Sequence, residues 1–235
     1  MNKSQIRTAA AGLALLLAAA GAVTPAAADP TNANELRLGA YFVFYHATAN
    51  DLSGPYVPPG VNLHVRDVQT LYAAYVRRLS SRFNLELALG LPPVTKTLGK
   101  GPATLGSVPY NGVVVSTARW ISPTLLLNYE FLGENSWLRP YVGVGVNYTT
   151  FYDRNSTAAG DAASGGPTRL SLSASVGPAA TVGLAVRIAP RWHAYASYSY
   201  SQIKSTLRAD TAGEIRTTRI DFRPQALVIS VGYSF

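Results

Sequence analysis

The stretch Arg139-Pro140-Tyr141-Val142-Gly143-Val144-Gly145-Val146-Asn147-Tyr148-Thr149-Thr150 alternates between two kinds of residue. Val142, Val144, Val146 and Tyr148 form an apolar or amphipathic set, and Arg139, Tyr141, Gly143, Gly145, Asn147 and Thr149 a small or polar one. Period two is the mark of a strand whose two faces meet different surroundings. A soluble sheet gives the same pattern, so this stretch alone does not choose between water and lipid. The choice comes from its recurrence along the chain, behind an export signal and with no helical segment between repeats.

That signal is the basic segment Met1 to Arg7, the Leu-rich apolar run Ala9 to Val23, and the A-x-A pattern of Ala26 and Ala28. Together they predict a secretory signal peptide over residues 1–28, cleaved after Ala28. The remaining chain, 29–235, is expected to form one barrel-sized domain. It has no further apolar run approaching the ~20 residues of a spanning helix. It also has no cysteine, which removes disulfides, thiolate metal sites and a lipoprotein anchor. The net charge is +8, but the basic residues are not gathered into a nucleic-acid stripe. Arg66, Lys96, Lys100, Arg119, Arg154, Arg169, Lys204, Arg208 and Arg216 fall among acidic neighbours in the segments read as outer loops. There they form a mixed solvated surface, with contact to the phosphates of an anionic outer leaflet as the alternative.

Eight extended segments follow the signal: about 36–47, 68–79, 83–91, a run ending at 124–131, 139–152, 171–188, 192–204 and 218–235. Long Gly/Pro/Asn-rich links near 48–67, 92–112, 153–169 and 205–217 alternate with short ones at Ser80-Ser81-Arg82, Gly133-Glu134-Asn135-Ser136 and Ala189-Pro190-Arg191. Long loops at one end and tight turns at the other predict an all-β, eight-stranded, antiparallel, up-and-down transmembrane barrel in the outer membrane of a bacterium. Only a closed sheet leaves no unpaired backbone in lipid. The alternation then sets the faces. Phe83, Leu85, Leu87, Leu89 and Leu91 oppose Asn84, Glu86, Ala88 and Gly90; Leu227, Ile229, Val231, Tyr233 and Phe235 form the outer face of the last segment. Phe83, Phe131, Trp137, Trp192, Tyr233 and Phe235 near the turns, with Tyr148 and Tyr200 nearer the loops, make an interfacial girdle.

Ser122-Pro123-Thr124-Leu125-Leu126-Leu127-Asn128-Tyr129, followed by Arg139 to Thr149, resembles the central hairpin of the outer-membrane protein W (OmpW) family. The ending Val231-Gly232-Tyr233-Ser234-Phe235 is similar to that family's last strand. Its aromatics, Tyr233 and Phe235, resemble the signal read by the barrel-assembly machinery. The resemblance implies a narrow, largely hydrophobic channel for small apolar molecules. The chain departs from the family in its sixth strand, where Pro178-Ala179-Ala180 replaces bulkier residues.

An eight-stranded barrel is just wide enough to be filled by side chains or to hold one small ligand. By phase, Arg37, Arg78, Glu86, Glu130 and Arg139 point inward near the turns, at similar depth. An unpaired charge there would cost several kcal/mol, so a paired, hydrogen-bonded floor is expected on the periplasmic side. Above it, Tyr41, Val43, Tyr45, Tyr72, Ala74, Val76, Leu126, Phe151 and Val228 are expected to line an apolar chamber. Such a chamber suits small hydrophobic solutes; a porin-like constriction would need rings of charge. The alternative is a packed, non-transporting barrel whose loops contact lipopolysaccharide, host or phage. Pro123, Pro140, Pro178 and Pro224 lie within or beside strands, where each removes a ladder donor. They are candidates for a gap through which a solute leaves sideways into lipid.

The pattern does not mark out an enzyme. His193 is expected inward near the turns, within reach of Glu86 or Glu130, and His46 near the outer rim with Asp51 and Ser53. No serine is placed by spacing to act with either, and His64 lies in a loop. Gly143-Val144-Gly145 belongs to a strand and leads into no helix, so it is no nucleotide motif. No metal-ligand spacing and no cofactor motif is present.

Overall fold

A computed structural model describes residues 33–105, 108–133 and 136–235. The expected signal peptide, and part of the turn at 133–136, lie outside the described residues. Eight strands make the barrel wall: β1 (Asn34–Tyr45), β2 (Val68–Arg78), β3 (Phe83–Gly90), β4 (Thr124–Glu130), β5 (Leu138–Ser156), β6 (Ser175–Ala189), β7 (Trp192–Ser201) and β8 (Pro224–Ser234). Each pairs antiparallel with its neighbours in sequence, and β8 returns to pair with β1 from Glu35↔Ser234 to Tyr45↔Pro224. The ring is closed. The fold is the antiparallel up-and-down barrel that the alternation predicts.

Its two faces invert the distribution found in a soluble protein. Leu38, Val144 and Val176 are 68%, 67% and 70% exposed on the outside, while Arg37, Arg139 and Asn128 are 4%, 2% and 0% exposed within. A continuous exposed belt of Leu, Val and Ile is stable only against lipid. At the turn end Tyr129 packs on Phe83 and Phe131 with centroids 5.2 and 5.3 Å apart, and Trp192 on Tyr233 at 5.0 Å. Tyr198 and Tyr200 stay exposed towards the loops.

The long links are not irregular. Val94–Lys100 and Val114–Ile121 pair with each other, and the latter continues onto β5, carrying the wall outward. Asn62–Val65 joins the outer edge of this sheet. A second sheet is formed by the hairpin Lys204–Thr211/Glu214–Asp221 with Thr168–Leu172 and Thr48–Ala49 at its edges. Three expected boundaries therefore shift. The sixth segment begins at Ser175, because Thr168–Leu172 pairs separately with Lys204–Thr211. The seventh ends at Ser201, and the eighth begins at Pro224, after Arg223 turns the chain with a φ of +39°. The one helix among the described residues, α1 (Ala158–Ser164), is capped at its start by the Thr157 hydroxyl.

The wall has one pronounced break. Pairing of β3 with β4 ends at Ala88↔Thr124, and the next pair outward is Val94↔Arg119. Between them run Leu91-Pro92-Pro93, and two successive prolines offer no backbone donor to either neighbour. A milder interruption lies beyond Pro178, where the backbone ladder stops at Ala179↔Ser201. There the Ser173 and Ser175 hydroxyls accept from the backbone N–H groups of Thr206 and Lys204, both at 3.0 Å, in place of ladder bonds.

Candidate functional site: a two-chambered lumen over a charged floor

Near the turns the inward side chains of β1 to β5, β7 and β8 converge. Arg37 donates through Nε to Glu35 Oε1 at 2.6 Å and through Nη1 to Glu86 Oε2 at 3.0 Å. Glu86 also accepts from the Tyr72 hydroxyl and from Asn128 Nδ2, the latter at 2.8 Å. Asn128 reaches Asn84 at 2.9 Å, and Asn84 donates to Glu130 at 2.9 Å. Arg139 donates to the other Glu130 oxygen at 3.0 Å, with Arg78 3.9 Å from it. Glu35, Glu86 and Glu130 thus face Arg37, Arg78 and Arg139, and the charges balance. Confined charges hold only where partners compensate lost hydration, and here every carboxylate oxygen accepts at least one hydrogen bond.

Glu35 is the member that the sequence reading missed. The first segment was expected to begin at Leu36, although Glu35 shares the inward parity of Arg37. It anchors the far side of the floor, accepting from the hydroxyls of Tyr195 at 2.8 Å and Ser234 at 3.0 Å. His193 Nδ1 lies 3.4 Å from the same carboxylate, so His193 meets Glu35 rather than Glu86 or Glu130. Arg37 stacks over the Tyr195 ring, 3.7 Å from its centroid. Gly232, facing His193 across the ladder, leaves the room: a Cβ there would come within 2.9 Å of the Glu35 carboxylate.

The expected apolar lining divides into two layers. Tyr72, Ala74 and Val228 form a buried cluster above the floor, with Leu126 also buried, whereas Val76 lies in the floor itself, paired with Glu35 on one side and Glu86 on the other. Tyr41, Val43, Tyr45 and Phe151 reach higher, to two small cavities. The lower holds about 20 Å³ and the upper about 30 Å³, and a single water needs about 10–15 Å³. Tyr45, Trp120, Phe151 and Phe222 line both, forming an aromatic partition between them. Phe222 stacks on Phe151 at 5.4 Å and meets Tyr45 edge-on at 6.1 Å, while Trp120 Nε1 donates to Thr95 at 2.9 Å.

Trp120 and Phe222 were not anticipated, because both lie where a wall strand passes into a loop and parity is reset. Outside, an open groove of about 970 Å³ runs along the seam between the end of β5 and Thr168–Leu172. It shares Arg154 and Leu170 with the upper cavity. Groove, upper cavity, partition, lower cavity, the packed layer around Tyr72, Ala74 and Val228, and the floor therefore follow one another down the barrel.

The four prolines differ in their settings. The carbonyls of Pro123, Pro140 and Pro178 accept from the N–H groups of Tyr148, Phe131 and Gln202, and Pro224 opens β8 opposite Tyr45. Pairing along β5 continues past Pro123, from Thr124↔Asn147 on β4 to Thr150↔Ile121 on Val114–Ile121. Of the four, Pro178 adjoins the ladder interruption on β6, whereas the wider break contains Pro92 and Pro93, at the start of the expected 92–112 link. Among the described residues no histidine hydrogen-bonds a serine, and no cluster of three His, Asp or Glu could hold a metal. His46 stands exposed, with Asp51 bonded to Asn62 and Ser53 to Thr217.

The sequence profile of the OmpW family matches residues 103–235, more than half of the chain. The chain belongs to the OmpW family. Family membership and the closed barrel place it in the bacterial outer membrane. It is 33% identical over 147 residues to outer membrane protein W of Vibrio cholerae serotype O1, covering 63% of this chain and 65% of that relative. It is 31% identical over 133 residues to the dibenzothiophene metabolism operon protein PahQ of Pseudomonas aeruginosa, covering 54% and 58%. The chain thus matches less than two thirds of either relative's length. The fold is similar to the crystal structure of the outer membrane protein OprG from Pseudomonas aeruginosa, with a TM-score of 0.78 at 22% identity over 87% of this chain and 96% of that one.

Proposed function

We propose that this OmpW-family barrel admits small apolar molecules through the outer membrane and releases them sideways into lipid. The observation that carries the reading is the sequence of spaces: an outer groove and two chambers behind aromatic rings, ending on a charged floor. An apolar solute gains by leaving water for such chambers. It cannot continue through the floor without breaking paired charges, so an axial route to the periplasm is closed. The break at Leu91-Pro92-Pro93 lies beside Trp120 and Ser122, which line the lower chamber, and offers the way out. The name of the PahQ relative, which refers to metabolism of a small aromatic sulfur heterocycle, agrees with an apolar cargo.

The partition must move for anything larger than water to pass. Whole-cell uptake of the apolar dye N-phenylnaphthylamine tests this. Phe222→Ala is expected to raise the rate severalfold, and Ala226→Trp, which fills the lower chamber, to return it to that of cells without the protein. Pro92→Val with Pro93→Val is expected to slow uptake by restoring two ladder donors. Uptake unmoved by Ala226→Trp would exclude the lumen as the path.

Two partners belong to the same proposal. The aromatics Tyr233 and Phe235 close β8 at the turn end, where the assembly machinery would read them. Lys204, Arg208 and Arg219 stand exposed on the outer face of the long hairpin, suited to lipopolysaccharide phosphates.

A further inference from the structure

The lower chamber has a mixed lining. On the β8–β1 side it presents Tyr41, Val43, Tyr45, Pro224 and Ala226. Across the barrel it presents Ser122, Asn147 and Thr149, while Ser199 and Ser201 of β7 adjoin the apolar side, Ser199 pairing with Ala226. The first three are satisfied among themselves: Asn147 Nδ2 donates to Ser122 Oγ at 2.8 Å, Ser122 and Thr149 share a bond of 2.6 Å, and Thr149 donates to Asn147 Oδ1 at 2.7 Å. The hydroxyls of Ser199 and Ser201 form no hydrogen bond with another described residue. They sit two apart on one strand face, both directed to the lumen, about 7 Å from each other along the strand. Each is a donor and an acceptor.

We propose that this pair makes the conduit selective for amphipathic solutes, those with an apolar body and one hydroxyl, carbonyl or amide. The proposal rests on the transport reading above and deepens it. Water in the chamber bonds the two serines when no solute is present. A pure hydrocarbon expels that water and leaves the hydroxyls unmet, whereas an alcohol replaces the lost bond and lays its ring against Val43, Tyr41 and Ala226. Both kinds of solute must displace the same aromatic rings, so the ratio of their affinities isolates the polar contact. One net hydrogen bond corresponds to about a tenfold preference.

The test uses Trp120 as reporter, in the full barrel carrying Trp137→Phe and Trp192→Phe and reconstituted in lipid nanodiscs. Cyclohexane and cyclohexanol are titrated, with concentrations corrected for partition into the lipid. Cyclohexanol is expected to shift Trp120 emission at about one tenth the concentration of cyclohexane. Ser199→Ala with Ser201→Ala is expected to erase the difference by weakening cyclohexanol alone. Equal responses in the serine-bearing protein, or a preference that survives the double alanine, would overturn the proposal and leave the conduit standing. Silence towards both solutes, in this protein and in Phe222→Ala alike, would instead bring down the transport reading on which it rests. Retention of the barrel in each variant is read from its heat-modifiable mobility on gels.

Discussion

Arg37→Met is expected to destabilise the barrel by about 3–5 kcal/mol, the range for removing one partner of a buried ion pair. Methionine keeps most of the volume, so packing is not what is lost. Glu35 and Glu86 lose their shared guanidinium in a space where both are about 5% exposed or less. Among their remaining partners, Tyr195 and Ser234 on one side and Tyr72 and Asn128 on the other donate hydrogen bonds but no charge, and the His193 ring stands farther off, 3.4 Å from Glu35. Urea unfolding in phospholipid vesicles reads the loss. Adding Glu35→Gln and Glu86→Gln to Arg37→Met should restore most of it, because the penalty comes from stranded charge rather than from a missing contact. A single mutant that unfolds at the same urea concentration as the parent would mean that the lumen is wet enough to hydrate these carboxylates.

Val144→Lys is expected to cost about 2–4 kcal/mol, and Val176→Lys about 0–1 kcal/mol, on the scale for lysine at the bilayer midplane and near its edge. The comparison is informative because exposure alone predicts no difference, the two side chains being 67% and 70% exposed. In water both substitutions would be nearly neutral. Depth separates them: Val144 lies midway along the paired part of β5, whereas Val176 pairs with Tyr148 near the outer rim. Unfolding in vesicles measures both, and equal costs would argue that the apolar face does not meet hydrocarbon.

Much of the wall was legible in the sequence. Alternation along 139–150, 83–91 and 227–235 assigned faces that burial then matched: Asn84, Glu86 and Arg139 inside, and Phe83, Val144 and Ile229 outside. The same parity applied one residue earlier would have found Glu35. The lumen's upper half was less legible for a definite reason. Phase carries from one residue to the next only while the strand is regular. It is reset at Leu91-Pro92-Pro93, at the irregularity between Tyr152 and Asn155, and at the left-handed Arg223. Trp120, Ile203 and Phe222 lie close to such resets, so their direction could not be carried over from the strands below. Ser199 and Ser201 share the inward parity of His193, but nothing in their spacing shows that Asn147 and Thr149 stand nearby with their own bonds already made.

The sequence by itself determined the material of the two faces, the number of wall strands and the charge that lines the turn end. Each follows from a side-chain period of two and from turn chemistry, which are local properties of the chain. Tertiary structure alone decided that Arg37 falls between Glu35 and Glu86, that four aromatic rings from different strands and loops meet across the lumen, and that one chamber sets two unbonded serines beside apolar side chains. Those outcomes depend on the stagger between neighbouring strands and on where the ring closes. Stagger and closure are set by pairing between residues as far apart as Glu35 and Ser234.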